Sequence, residues 1–349
     1  MVTSWLKERP LLNDMLVSLL AVFAAFVVGA GLLVLAGADP LVAYRPLLLG
    51  AFSSRYGITE TLVKATPLLL VGLGIAVAFR GGILNIGAEG QLILGTLATT
   101  WVVLAFKGLP GPLLLLLALA AGFLGGALWG AVPGVLKAKI GANEILITIM
   151  MNQIAALLLG FLIRGPMIDP EEVAYGTGYP QSALIPDGSW LLRLPQTRLH
   201  AGLLLALLAA FLVYVFLWRT TLGYQIRVVG SNPQAARYGG IGVARNLIIA
   251  TCISGGLAGL AGMIEVTGVH HRLLDGISAG YGFTAIVVAL FGKLHPLGII
   301  PASFLFGALM VGADMMQRAV GIPAGLVNSI QGLVVVFVVS TEIWQRRRA

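Results

Sequence analysis

The pentapeptide Gly276-Ile277-Ser278-Ala279-Gly280 has the spacing of a nucleophilic serine set in a sharp turn, and His270, His271 and His295 stand close enough in the chain to be weighed as its base. That chemistry needs a strand–turn–helix context, or a Ser–His pair deep inside the membrane. None of the three histidines lies at the middle of a long apolar run, so no catalytic residue is expected. Ser254-Gly255-Gly256 echoes an ATPase signature but sits inside an apolar run and reads as helix packing. No Gly-Lys-Ser/Thr tripeptide occurs, so the chain has no phosphate-cradling loop of its own. The single cysteine, Cys252, excludes a disulfide framework and a cysteine-rich metal site, and no metal is expected. What remains are carboxylates in apolar surroundings: Glu89, Glu265 and Asp314. Acids at membrane depth are functional candidates, and an ion-coupled secondary transporter would use groups of this kind.

The elements that must hold these groups are apolar. The chain is 58% hydrophobic and 10% charged, whereas soluble domains carry about 25% charged residues. Runs of the length needed to cross a bilayer, about 20 residues, recur at Met15–Leu35, Ile58–Phe79, Ile83–Phe106, Pro112–Leu136, Ile145–Ile163, Leu199–Trp218, Asn246–Val266, Ala279–Gly292, Leu294–Ala313 and Gly325–Thr341. Glu60 and Lys64 interrupt the second. The eighth is too short to cross alone unless Leu273–Ser278 completes the passage. The first run is too long for a cleavable signal peptide, and more runs follow it. The expected fold is an all-α polytopic membrane protein of about ten transmembrane helices.

The net charge of +8 does not point to nucleic acid, because the basic residues lie between apolar runs instead of forming one patch. Ten spans put both termini on one side. Assigning that side to the cytoplasm places residues 1–14, the loop 219–245 and the basic tail 342–349 inside, as the positive-inside rule favours. Residues 219–245 carry four arginines and no acid. The loop 164–198, with Asp169, Glu171, Glu172 and Asp187, then lies outside. Ten spans also divide into two five-helix halves of inverted orientation, each with a glycine-broken stretch after its second span, Arg80–Gly90 and Leu274–Gly282. Inverted repeats with interrupted helices are a transporter signature, and the breaks point to the pathway.

Two stretches carry most of the information. Residues 79–91 read Phe-Arg-Gly-Gly-Ile-Leu-Asn-Ile-Gly-Ala-Glu-Gly-Gln, too rich in glycine for a regular helix. Broken backbone at membrane depth is tolerated only where protein or a wet cavity surrounds it. That makes Asn85, Glu89 and Gln91 polar groups near a path or gate; Glu89 also suits the N-terminus of the helix that follows. In the second stretch, Ser231 or Asn232 can cap a short helix with Pro233 in its first turn and an end at Gly239 or Gly240. A helix so short, capped at both ends on the cytoplasmic face, suits docking into a partner. Elsewhere Gly122, Gly126, Gly130 and Gly134 line one face of the fourth span and permit close helix packing.

The Gly81–Gln91 motif, the Gly223–Ile241 loop and the run Tyr281–Gly292 together resemble the permeases of ribose, branched-chain amino acid and nucleoside ABC importers. Asn85–Gln91, and Ala142–Ile145 with Thr148, Ile149, Met150 and Asn152, are most similar to the nucleoside (guanosine-type) branch; sugar-type permeases carry Asp in place of Asn85. The likeness covers roughly residues 58–340. It implies alternating access in a bacterial plasma-membrane complex. A second permease, commonly a different chain, completes the pathway. Two ATPase subunits hold ATP and Mg, and a lipoprotein or periplasmic binding protein delivers the nucleoside. It also implies that Gly230, Ser231, Asn232, Pro233, Ala235, Ala236, Arg237, Tyr238 and Gly239 form the coupling helix inserted into the ATPase. A neutral cargo needs amides and apolar walls, so Asn85, Gln91, Asn143 and Asn152 are expected to donate and accept along the path, with Phe79 and Phe283 flanking a base. A permease for sugars or branched-chain amino acids is the alternative within the same family.

Overall fold

The computed structural model describes residues 10–176 and 179–323, and beyond them 325–326, 329–330, 332–333, 336–337 and 340; for 10–19, 21 and 22 only the backbone path is described. Among these residues the fold is helical, and the β content is two isolated bridges, Gln181 with Leu274 and Arg193 with His200. The helices are α1 (Pro10–Leu35), α2 (Pro40–Gly50), α3 (Arg55–Arg80), α4 (Ala88–Ala105), α5 (Gly111–Ile140), α6 (Glu144–Arg164), α7 (Pro170–Tyr175), α8 (Gly202–Arg219), α9 (Thr221–Ser231), α10 (Pro233–Tyr238), α11 (Val243–Ile264), α12 (Tyr281–Phe291) and α13 (Pro296–Val320).

Seven helical segments among the described residues are long and apolar enough to cross a membrane: α3, α4, α5, α6, α8, α11 with its continuation to His270, and α13. Large apolar side chains on several of them point outward: Leu116 is 64% exposed, Leu128 70%, Leu157 74% and Phe211 60%. Water would not tolerate so much exposed hydrocarbon; lipid does. Where α4, α5 and α11 meet, by contrast, the contacts are made by glycines, as is usual where lipid removes the hydrophobic drive between helices.

Several expectations shift. The third span begins at Ala88, not Ile83, because residues 83–87 are non-helical. The eighth is only the 11-residue α12, and the preceding Leu273–Ser278 stretch does not extend it as helix; Gly276, Ala279 and Gly280 all turn through positive φ there. Helix α2 was not foreseen as an element, although Asp39 caps it and Pro40 starts it, because Arg45 and Pro46 break any long apolar run. The expected span Gly325–Thr341 falls largely outside the described residues, as do the segment 1–14 for the most part and the tail 342–349.

The chain forms two compact units, Met1–Lys64 with Phe304–Ala349, and Ala65–Ser303. In the first, Leu33, Ala43, Leu47, Ala313, Met316, Ile322 and Ile330 make the core. The Tyr44 hydroxyl donates to the Phe26 carbonyl at 2.7 Å. Asp314, offered above as an ion-coupling acid, pairs with Lys64.

In the second unit α11 is the hub. A Cβ on Gly126 would collide with the Gly255 carbonyl and one on Gly255 with the Gly126 carbonyl; Gly122 and Gly130 face Gly259 and Thr251 in the same way. On another side of α11, Gly95 meets Gly259 and Gly262 meets Leu92 and Thr96 of α4. Backbones this close exclude every side chain at those positions.

Helix α11 continues as one π-helical stretch, Glu265–His270. The loop expected outside the membrane is pinned along it. Leu191 N donates to Thr267 O, Ile185 N to His271 O, and Arg193 to the carbonyls of Gly268 and Val269 at 2.8 Å each. The Trp190 ring stacks on His271 at 3.8 Å. His271 and its neighbour His200 are both buried and both held down to about 4, chiefly by burial and then by the Arg193 charge.

Candidate functional site

The break between α3 and α4 begins with a helix end written in glycine. Gly82 sits at φ 81°, its N–H bonds to Phe79 O, and Ile83 N–H bonds back to Ala78 O at 3.1 Å. This is the paired closure that a left-handed residue after the last turn permits. The chain then runs unwound from Leu84 to Gly87 before α4 starts.

Buried unwound backbone needs hydrogen-bond partners, and side-chain amides supply them. Asn85 and Gln91 exchange bonds at 2.9 and 3.1 Å. Asn85 Nδ2 also donates to the Ser254 hydroxyl on α11, while its Oδ1 accepts from Gly87 N. From α6, Asn152 Nδ2 donates to Ile86 O at 3.0 Å and its Oδ1 accepts from Gly90 N at 2.9 Å. All three amides are at most 4% exposed. They form a rigid clasp around the break.

Glu89, in the first turn of α4, does not spend its carboxylate on its own helix. Its Oε2 accepts from Gly282 N at 2.7 Å, at the start of α12. The Ser278 hydroxyl and the Gly280 and Phe283 amides face the same carboxylate. A Cβ on Gly282 would run into the Glu89 backbone, so the two breaks touch directly. An acid placed on free N–H groups at a helix start is favourable on dipole grounds. Ser278 is thereby drawn to a carboxylate, while the three histidines lie elsewhere: His270 near Glu265, His271 under Trp190 and His295 beside Trp218.

The remaining residues weighed for a pathway are more dispersed. Asn143 caps α6, its Oδ1 accepting from Ile145 N and Leu146 N. Phe79 lies half-buried in the last turn of α3, and Phe283, 49% exposed, in the first turn of α12. Ser254, which reads in the sequence as helix packing, and Gly282, the end of the Leu274–Gly282 stretch, complete the site; the polar Ser254 within an apolar run was the available signal.

On α10, Asn232 is the cap, accepting from Gln234 N and Ala235 N at 2.9 and 3.0 Å, with Pro233 first in the helix. Gly240 at φ 75° closes the other end, with Ile241 N–H bonded to Ala236 O. Ser231 belongs instead to the last turn of α9, an 11-residue helix where a loop was expected. Ala236 is fully buried against Val229 and Val243, so it faces the protein. Gln234, Ala235, Arg237 and Tyr238 face out, Tyr238 at 95% exposure.

Residues 57–339 match the protein family described as branched-chain amino acid transport system / permease component. Three curated relatives align along nearly the whole chain. A glucose ABC transporter permease protein of Haloferax volcanii is 38% identical, covering 94% of this chain and 88% of its own. A guanosine ABC transporter permease protein of Bacillus subtilis is 36% identical, covering 95% and 94%. A nucleoside ABC transporter permease protein of Lactococcus lactis is 33% identical, covering 93% and 91%.

Proposed function

Because this chain belongs to the branched-chain amino acid transport system permease family and is a multi-pass transport subunit of an ABC transporter, we propose that its cargo is a nucleoside, carried inward by alternating access. The likeness to guanosine and nucleoside permeases over more than nine-tenths of the chain carries the reading. Asn85 and Gln91, expected to donate and accept along the path, are instead buried and bonded to each other, Ser254 and the backbone, so they frame the break and do not face a cargo.

The proposed assembly has two different permease chains, two ATPase subunits holding ATP and Mg, and a binding protein outside. The exposed face of α10 suits the ATPase contact. The surplus of arginines in 219–245 supports a cytoplasmic position for that segment and for both termini. The two glycine-broken stretches support inverted five-helix halves. The amides of Asn85, Gln91 and Asn152 act as the frame of the gate, with Glu89, Phe79, Phe283 and Asn143 at its margins.

The Haloferax volcanii relative favours a second reading, a sugar such as glucose. The complex in ATP-loaded proteoliposomes, supplied with labelled guanosine or labelled glucose, tests both. ATP-dependent guanosine accumulation is expected. Glucose accumulation without guanosine would replace the nucleoside reading, and accumulation driven by an ion gradient without ATP would end the ATP-driven one.

A further inference from the structure

Helix α12 is held at both of its ends by residues that flank one and the same helix break. At its start, the Glu89 carboxylate accepts from Gly282 N. At its finish, the Arg80 guanidinium donates from Nε to Leu294 O at 2.7 Å and from a terminal nitrogen to Lys293 O at 3.4 Å. Lys293 and Leu294 turn through positive φ, 56° and 52°, just after the last turn of α12. The signs match the helix dipole, an acid on the positive end and a guanidinium on the negative end. With 11 residues, α12 is about 16 Å long. It cannot span a bilayer on its own and acts as a strut between these two grips.

The backbone of Arg80 carries a second contact. Gly230, in the last turn of α9, lies so close that a Cβ there would collide with the Arg80 carbonyl and stand 2.9 Å from Gly82 N. Gly82 in turn faces the Gly230 Cα. The Arg80 side chain also lies 4.9 Å over the Trp218 ring of α8, and Arg227 of α9 lies 5.7 Å from the same ring. One residue, Asn232, separates α9 from α10.

We propose that Arg80 is the positioning residue that transmits movement of α9–α10 to α12. Its carbonyl bears on the end of α9 and its guanidinium grips the end of α12, so one residue touches both elements. Displacement of α10 then swings α12 about the Glu89 contact. The inference rests on the reading of α10 as the ATPase-docking helix.

The reconstituted complex with its ATPase and binding protein supplies the test. Loss of ATPase co-purification in Ala235→Arg, against its retention in the wild-type chain, checks the docking reading by itself. In Arg80→Ala and Arg80→Gln variants, co-purification and basal ATP hydrolysis should stay near the wild-type level. Cargo moved per ATP should fall by about tenfold, within the usual range of coupling between sites. A purely structural role would lower assembly and basal hydrolysis together and leave cargo per ATP unchanged. Should Arg80→Ala fail to assemble, Arg80→Gln, which keeps donors without the charge, carries the measurement. Wild-type cargo per ATP in whichever variant assembles overturns the proposal.

Discussion

The Glu89 carboxylate accepts the Gly282 amide hydrogen at 2.7 Å, joining two helix breaks 193 residues apart in the chain. Neither break can shift freely without breaking this bond, and both have lost their own helical hydrogen bonds nearby. The Glu89→Ala variant removes the acceptor and leaves the α12 start unpartnered. A buried hydrogen bond to a charged group contributes roughly 1.5–3 kcal/mol, so a clear fall in thermal stability in detergent is expected. Glu89→Gln keeps an acceptor and should lose less. A Glu89→Ala chain melting like wild type would show the contact to be idle.

The α5–α11 seam makes a sharper demand. Gly126→Ala would drive a methyl group into the Gly255 carbonyl, and overpacking of this kind costs about 1–3 kcal/mol or more. Gly31→Ala in α1 meets nothing within 4 Å and removes a flexible residue from a helix, a change that stabilises by roughly 0.4–1 kcal/mol. Monodisperse yield after size exclusion should drop for the first and hold for the second. Equal yields would mean that the two helices can separate at no cost.

On α10, neighbouring alanines should behave oppositely. Ala235 is exposed, so Ala235→Arg should leave the fold intact and abolish ATPase co-purification. Ala236 is packed against Val229 and Val243, so Ala236→Arg should unseat the helix and lower the melting temperature. Asn232→Ala should cost about 1 kcal/mol through its lost cap. A normal melt for Ala236→Arg would contradict the inward placement.

The buried His200–His271 pair should make the fold sensitive to acid. His200 and His271 are held down to about 4 in the folded chain, against about 6.5 when unfolded. Between those values the unfolded chain binds more protons, so the stability they confer is fully present above pH 6.5 and drains away as pH falls toward 4. Melting temperatures at pH 7.5 and pH 5 should differ, and His271→Phe, which keeps a ring under Trp190, should narrow the gap. An unchanged gap would remove His271 from the acid response.

The membrane character, most of the long spans, the glycine break at residues 81–87 and both ends of α10 could be read from residue order. Each rests on a local rule: length of apolar run, glycine content, a capping asparagine before proline. The spans shifted where apolar residues leave the helix, as at Ile83, and where polar residues extend it, as α13 runs on through Asp314 and Arg318, since hydrophobicity does not encode backbone conformation. Where Glu89 sends its carboxylate, that Asn85, Gln91 and Asn152 clasp the break, that Ala236 turns inward and that Arg80 reaches α12 were settled only in three dimensions. The two grips on α12 join residues 193 and 214 positions apart. A side chain's local sequence states what it can bond with, and only the packing of distant helices decides which of those partners arrives.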